Sequence, residues 1–128
     1  MIVLDENFPR GQRELLKSWR FPARQIGIDL GREGMKDDEL IPFLVQLTRP
    51  THFTLDRGWY ERKLVHKRYG IFVLECRFSE AAAFTRRVLR YPEFNTQAKR
   101  LGKVVRASHD GLTGWTLASE SEQHWDWT

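Results

Sequence analysis

The sequence predicts an α/β domain with a central, mainly parallel sheet flanked by helices and a C-terminal β-hairpin. Three observations carry that expectation. Ile2-Val3-Leu4 is an apolar run too short for a helix, and it stops abruptly at Asp5-Glu6-Asn7; such a run suits a strand buried on both faces. The same pattern recurs where the β-rich Thr51 to Leu55 ends in Asp56. Helical stretches stand between these runs and the still more apolar Gly70 to Leu74, the alternation from which parallel sheets are built.

The whole chain sets the bounds. Its 128 residues make one domain with a single real core, and 41% hydrophobic content with five Trp argues against disorder. No apolar run approaches the roughly 20 residues that cross a bilayer. The N-terminus lacks the basic-then-apolar pattern of a signal peptide, so a soluble, cytoplasmic protein with no membrane partner is expected. One cysteine, Cys76, leaves no internal disulfide and no Cys-based zinc site; its apolar context marks it as a core residue.

Taken in order, Pro9 to Trp19 reads as the first helix, with Pro9 at its first position and Leu15, Leu16 and Trp19 on one face. Phe8 can staple its entrance. Arg20-Phe21-Pro22 is a turn, Ala23 to Ile28 a second strand, and Leu30 to Lys36 a polar loop with Gly31 and Gly34. Asp37 to Leu47 is the second helix, its stripe formed by Leu40, Ile41, Leu44 and Leu47. After the Thr51 to Leu55 strand, Arg57-Gly58-Trp59-Tyr60 turns into a third, polar helix running to about Lys67. Gly70 to Leu74 is expected at the centre of the sheet. Ser79 is a candidate cap for a fourth helix, Glu80 to Leu89, and Gln97 to Leu101 can add a helical turn. Val104 to Ala107, a turn at Asp110-Gly111 and Leu112 to Leu117 form the closing hairpin. Residues 1–117 are thus the domain, and 118–128 an acidic tail, either loose or docked on a neighbour through Trp125 and Trp127.

Charge is unevenly spread. Residues 1–56 carry 8 Lys/Arg against 9 Asp/Glu, residues 57–107 carry 13 against 4, and residues 108–128 carry none against 4. A basic belt beside clustered acids suits a polyanion held near a metal, although an ordinary solvated surface also accounts for it.

Acids at strand ends are the candidate site. A parallel strand delivers the residues just after it to the carboxyl edge of the sheet, where open α/β folds place their sites. Asp5 and Asp56 each end a strand, so both are expected there. Asp37 lies three and four residues before Leu40 and Ile41, on the same stripe, and an acid facing the sheet needs a partner. Glu39 falls nearer solvent. Each acid has a plain alternative: Asp5 and Asn7 cap the helix after them, and Asp37 caps its own. His52, early in its strand, reads as a satisfied core or surface residue.

The succession Leu4-Asp5-Glu6-Asn7-Phe8-Pro9, then Gly34-Met35-Lys36-Asp37-Asp38-Glu39-Leu40, then Phe53-Thr54-Leu55-Asp56-Arg57 resembles the PIN-like family related to VapC toxins. The likeness is nearest to its small stand-alone bacterial branch, which opens with a Leu-Asp-Glu-Asn signature. It runs from residue 1 to about residue 75, and more loosely through the C-terminal hairpin. The resemblance implies a three-layer PIN-like fold and a Mg²⁺- or Mn²⁺-dependent ribonuclease. Asp5, Asp37 and Asp56 match the family's acids, with Glu39 as a helper in holding the metal. It also offers a small antitoxin protein as a partner; a second copy of the chain is a further candidate partner. A further acid commonly stands two residues beyond the third in this family; here Gly58 holds that place, followed by Trp59.

On this reading Asp5 and Asp56 hold the ion through oxygens, and Asp37 binds it through water or orients the attacking water. Arg57, Arg62, Lys63, Lys67, Arg68, Arg86 and Arg87 hold the RNA backbone, while Trp59 or Tyr60 stacks a base unless both are core. Gly58 favours an alternative, a degenerate, non-catalytic module that binds RNA or protein. A phospho-acceptor receiver domain also has acids after its first and third strands. It expects a hydroxyl residue after the fourth and Lys after the fifth, where this chain has Glu75-Cys76 and Ser108-His109.

Overall fold

The computed structural model describes residues 1–127. They form one seven-stranded sheet in the order β2-β1-β3-β4-β5-β6-β7. The strands are β1 (Ile2–Leu4), β2 (Ala23–Gln25), β3 (Thr51–Thr54), β4 (Gly70–Leu74), β5 (Lys103–Ser108), β6 (Gly111–Thr116) and β7 (Gln123–Trp125). The first five pair in parallel, with Leu4 beside both Gln25 and Phe53. β5, β6 and β7 continue antiparallel. The chain is therefore α/β with a mixed, mostly parallel sheet, and β4 stands at its middle.

Four helices accompany the sheet: α1 (Arg10–Ser18), α2 (Asp37–Gln46), α3 (Ala81–Arg90) and the short α4 (Gln97–Arg100). Successive residues of a strand face opposite ways, and the two apolar clusters follow that alternation. Leu4, Phe53, Phe72 and Leu74 pack with Leu16 of α1 and with Phe84, Val88 and Leu89 of α3. Val3, Ile71, Val73 and Val104 pack with Leu40 and Leu44 of α2 and with Trp59 and Tyr69. All five residues of β4 are buried, which is why that strand reads as a continuous apolar run.

Several elements differ from expectation, for identifiable reasons. The second strand stops at Gln25, because the chain turns at Gly27 (φ +87°) and only Ile26 bridges onward, to Leu30. The third helix expected from Arg57 to about Lys67 does not form. Two short 3-10 turns, Arg57–Trp59 and Arg62–Leu64, stand there instead. Trp59 is buried, but Arg62, Lys63 and His66 occupy the positions that would continue an apolar stripe from it. Ser79 caps nothing: a 3-10 turn, Phe78–Glu80, precedes α3, and Glu80 Oε1 accepts the N–H of Arg77.

The boundary drawn at residue 117 does not mark the end of the sheet. Within the acidic segment, Gln123–Trp125 pairs with β6. Trp125 meets the ring of Phe94, and Trp127 packs on Phe84 and Tyr91 while donating its indole N–H to Ser108 O. The two tryptophans bury aromatic surface that the acids around them could not.

Candidate functional site

The sheet order reverses between β1 and β3, since the chain goes outward to β2 and returns to the other side of β1. Such a switch point opens a crevice beyond the carboxyl ends of the strands, the usual place for a ligand in an open α/β sheet. Asp5 and Asp56 come just after the two strands that flank it. Thr54, the last residue of β3, links them: its hydroxyl donates to Asp5 Oδ2 at 3.3 Å and its oxygen accepts the N–H of Asp56 at 3.0 Å. Asp56 in turn accepts the N–H of Gly58 on Oδ1 at 2.9 Å, capping the 3-10 turn.

Asp5 senses Asp56. Burial raises the pKa of Asp5, hydrogen bonds from Thr54 and the following backbone oppose that, and the charge of Asp56 raises it again. A cation between them would relieve both the desolvation and the repulsion. A side chain at position 58 would put its Cβ 3.1 Å from Asp56 Oδ1, so glycine leaves that carboxylate uncrowded while removing the further acid.

Two positioning residues escaped the sequence reading. Gln25 is buried at the end of β2, and its side-chain Nε2 lies 2.9–3.1 Å from the carbonyls of Asp5, Glu6 and Phe8. It therefore fixes the turn that presents Asp5. Glu6 accepts the N–H of Gly34 on both oxygens, at 2.7 and 3.1 Å, and so ties down the loop leading into α2. A polar residue where β2 should be apolar was the one available signal for Gln25.

The remaining candidates are placed differently from expectation. Asp37 begins α2 as predicted but is exposed; burial on its stripe starts only at Leu40. The first turn lies outside the apolar contact, so helical phase alone does not carry Asp37 inward. Glu39, half-buried, pairs with Arg32 rather than with another acid. Among the described residues, no group of three or more His, Cys, Asp or Glu side chains is arranged to hold a metal ion. The set Asp5, Asp37, Asp56 and Glu39 is thus not assembled as a whole.

Trp59 is core, 4% exposed and edge-on to His52, so it is no stacking platform. Tyr60 is half-buried; its hydroxyl donates to Glu122, and the Arg106 guanidinium lies 4.8 Å from its ring centre. Burial, then the Glu122 bond, pushes its pKa up to about 12. Arg57, Arg62, Lys63, Lys67 and Arg68 are exposed, with Lys63 paired to Glu61 and Arg62 over the Trp115 ring. Arg86 and Arg87 stack on Trp19 and Trp127. Cys76 is half-buried, and burial pushes its thiol up to about 12, leaving it unreactive at neutral pH. His52 is wholly buried with neither ring nitrogen hydrogen-bonded, which overturns the expectation of a satisfied histidine.

The chain matches no protein-family model, no curated protein and no solved structure. No helix among those described is long and apolar enough to cross a membrane.

Proposed function

We propose that the chain is a three-layer PIN-like protein closing in a β-hairpin, and that it hydrolyses RNA phosphodiesters with Mg²⁺ or Mn²⁺. One observation carries the reading: Asp5 and Asp56 stand just beyond the ends of neighbouring parallel strands at the switch point, joined through Thr54. Two carboxylates on one edge suit a hard divalent ion, which keeps several waters and asks for few protein oxygens. When bound, such an ion polarises a phosphodiester and lowers the pKa of its water. Thr54 and Gly58 hold the two carboxylates in orientation, and Gln25 holds the turn beneath Asp5. The exposed Arg57, Arg62, Lys63, Lys67 and Arg68 engage the RNA backbone through charge, with binding that weakens as salt rises. A small antitoxin protein remains the proposed protein partner.

The test is cleavage of an unstructured RNA with Mn²⁺. The Asp5→Asn/Asp56→Asn variant is expected to lose about 100-fold or more in rate, the scale of removing a main electrostatic contributor to the transition state. Wild-type rates in the variant would refute the assignment.

The exposure of Asp37 favours a second reading, a degenerate module that binds RNA without cutting it. On that reading the wild type holds RNA in a salt-dependent manner but never cleaves it at any Mn²⁺ concentration. The strand order is also compatible with a receiver domain, but Glu75 and Ser108 stand where its hydroxyl and Lys are needed.

A further inference from the structure

A cavity of about 850 Å³ lies not at the acids but at the opposite edge, where the parallel strands begin. Arg13, Lys17, Arg20, Arg24 and Arg100 line it, and no Asp or Glu does. Arg13 is paired with Asp29 at 2.8 Å. The other four have no carboxylate within 4 Å among the described residues.

Arg100 decides the matter. It is 4% exposed, and an arginine that deeply buried normally has an anionic partner, because an uncompensated charge away from water is costly. Its Nε–H donates to Thr51 Oγ1 at 2.9 Å and an Nη1–H to Phe94 O at 2.8 Å. Both acceptors are neutral; they orient the guanidinium without cancelling its charge. Burial accordingly pushes its pKa down. Ile2, Phe21 and Pro22 add an apolar wall, so the space suits an anion with an organic body better than a bare ion.

Arg20 supplies an independent sign. The chain leaves α1 with Phe21 N–H donating to Leu16 O at 2.9 Å and Arg20 at φ +66°. This is the helix ending at which glycine is the usual residue, and an L-residue there is strained. A cation is kept in that conformation at the wall of a cavity already lined by cations.

We infer that this cavity binds a phosphate-bearing organic anion of nucleotide size, its phosphate between Arg100, Arg20 and Lys17 and its body against Phe21 and Pro22. A volume of this order is ordinary for such ligands. The phosphate belongs either to a free nucleotide or to the 5′ end of an RNA. Nothing at this edge depends on the nuclease reading.

The experiment is calorimetric titration of the full chain in EDTA with adenosine monophosphate, adenosine, and a short RNA bearing either a 5′-phosphate or a 5′-hydroxyl. Adenosine monophosphate or the 5′-phosphorylated RNA is expected to bind, with adenosine and the hydroxyl RNA at least about tenfold weaker, as charge-assisted bonds require. Phosphorylated RNA binding tenfold more tightly than adenosine monophosphate assigns the RNA end; equal or weaker binding assigns the free nucleotide. Arg20→Gly and Lys17→Ala should each weaken binding several-fold, and Arg20→Gly should do so with an unchanged or higher melting temperature. Asp5→Asn/Asp56→Asn should leave it unchanged, which separates this site from the acidic edge. Failure of both phosphate ligands to bind, equal binding of adenosine, or indifference to both the Arg20 and the Lys17 variant would overturn the inference.

Discussion

At one edge of the sheet, Asp5 stands one residue and Asp56 two residues beyond neighbouring strands, joined by a threonine; at the other, Arg100, Arg20 and Lys17 line a cavity that contains no acid. The two edges are separated only by strands of three to six residues, roughly 10–20 Å. Acids gather where strands end because the residue after a buried strand is the first that can reach water. Cations gather where strands begin because the turns before β2 and β5 both deliver them there. The parallel part of the sheet keeps these populations apart without further design, since β1 to β5 all point the same way.

The contrast can be broken first at the basic edge. In Gly70, which opens β4, an added Cβ would stand 2.3 Å from the carbonyl oxygen of Arg100. Gly70→Ala must push the segment carrying Arg100 away, at an expected cost of about 3 kcal/mol or more. Chemical denaturation measures it. A variant as stable as wild type would mean that Arg100 is not held as described.

Between the edges, His52 gives the sheet a pH dependence. Burial alone lowers its pKa to about 4, from an ordinary 6.5, so the folded state binds the proton less well than the unfolded chain. Its contribution is therefore complete above pH 6.5 and is lost as pH falls from 6.5 toward 4, by up to roughly 3 kcal/mol. His52→Phe should flatten the stability profile across that window. An unchanged slope would place the titration elsewhere.

A smaller effect belongs to the acidic edge. Thr54→Val removes the hydroxyl that serves Asp5 and the oxygen that serves the Asp56 N–H, at about 1–2 kcal/mol. Thr54→Ser should restore most of it, as read by melting temperature; equal loss in both would show that the methyl group, not the oxygen, matters.

The same contrast explains how much was legible along the chain. The parallel core could be read because each buried strand is a short apolar run, and Asp5 and Asp56 because an acid directly after such a run announces its own position. Asp37 misled because helical phase says which side a residue faces but not whether the helix is covered at that turn. Trp59 was weighed as a base platform because local sequence cannot tell a wet aromatic from one turned under a 3-10 turn. The basic cavity was not visible at all. Its residues come from α1, the turn before β2 and the end of α4, and no pattern along the chain joins Arg20 to Arg100. β7 was missed for a related reason: Gln123-His124-Trp125 has little strand character of its own and is held by its partners Leu112 to Gly114.

The central claim, that Asp5 and Asp56 together form a divalent-cation site, is tested most directly by the melting temperature of the wild type and of Asp5→Asn/Asp56→Asn as Mn²⁺ is raised. Binding to the folded state alone stabilises by about 2.7 kcal/mol at a hundred times the dissociation constant. The wild type should therefore melt progressively higher with Mn²⁺, while the variant, folded and no less stable without metal, should not respond. Equal responses from the two proteins, or none from the wild type, would contradict the claim.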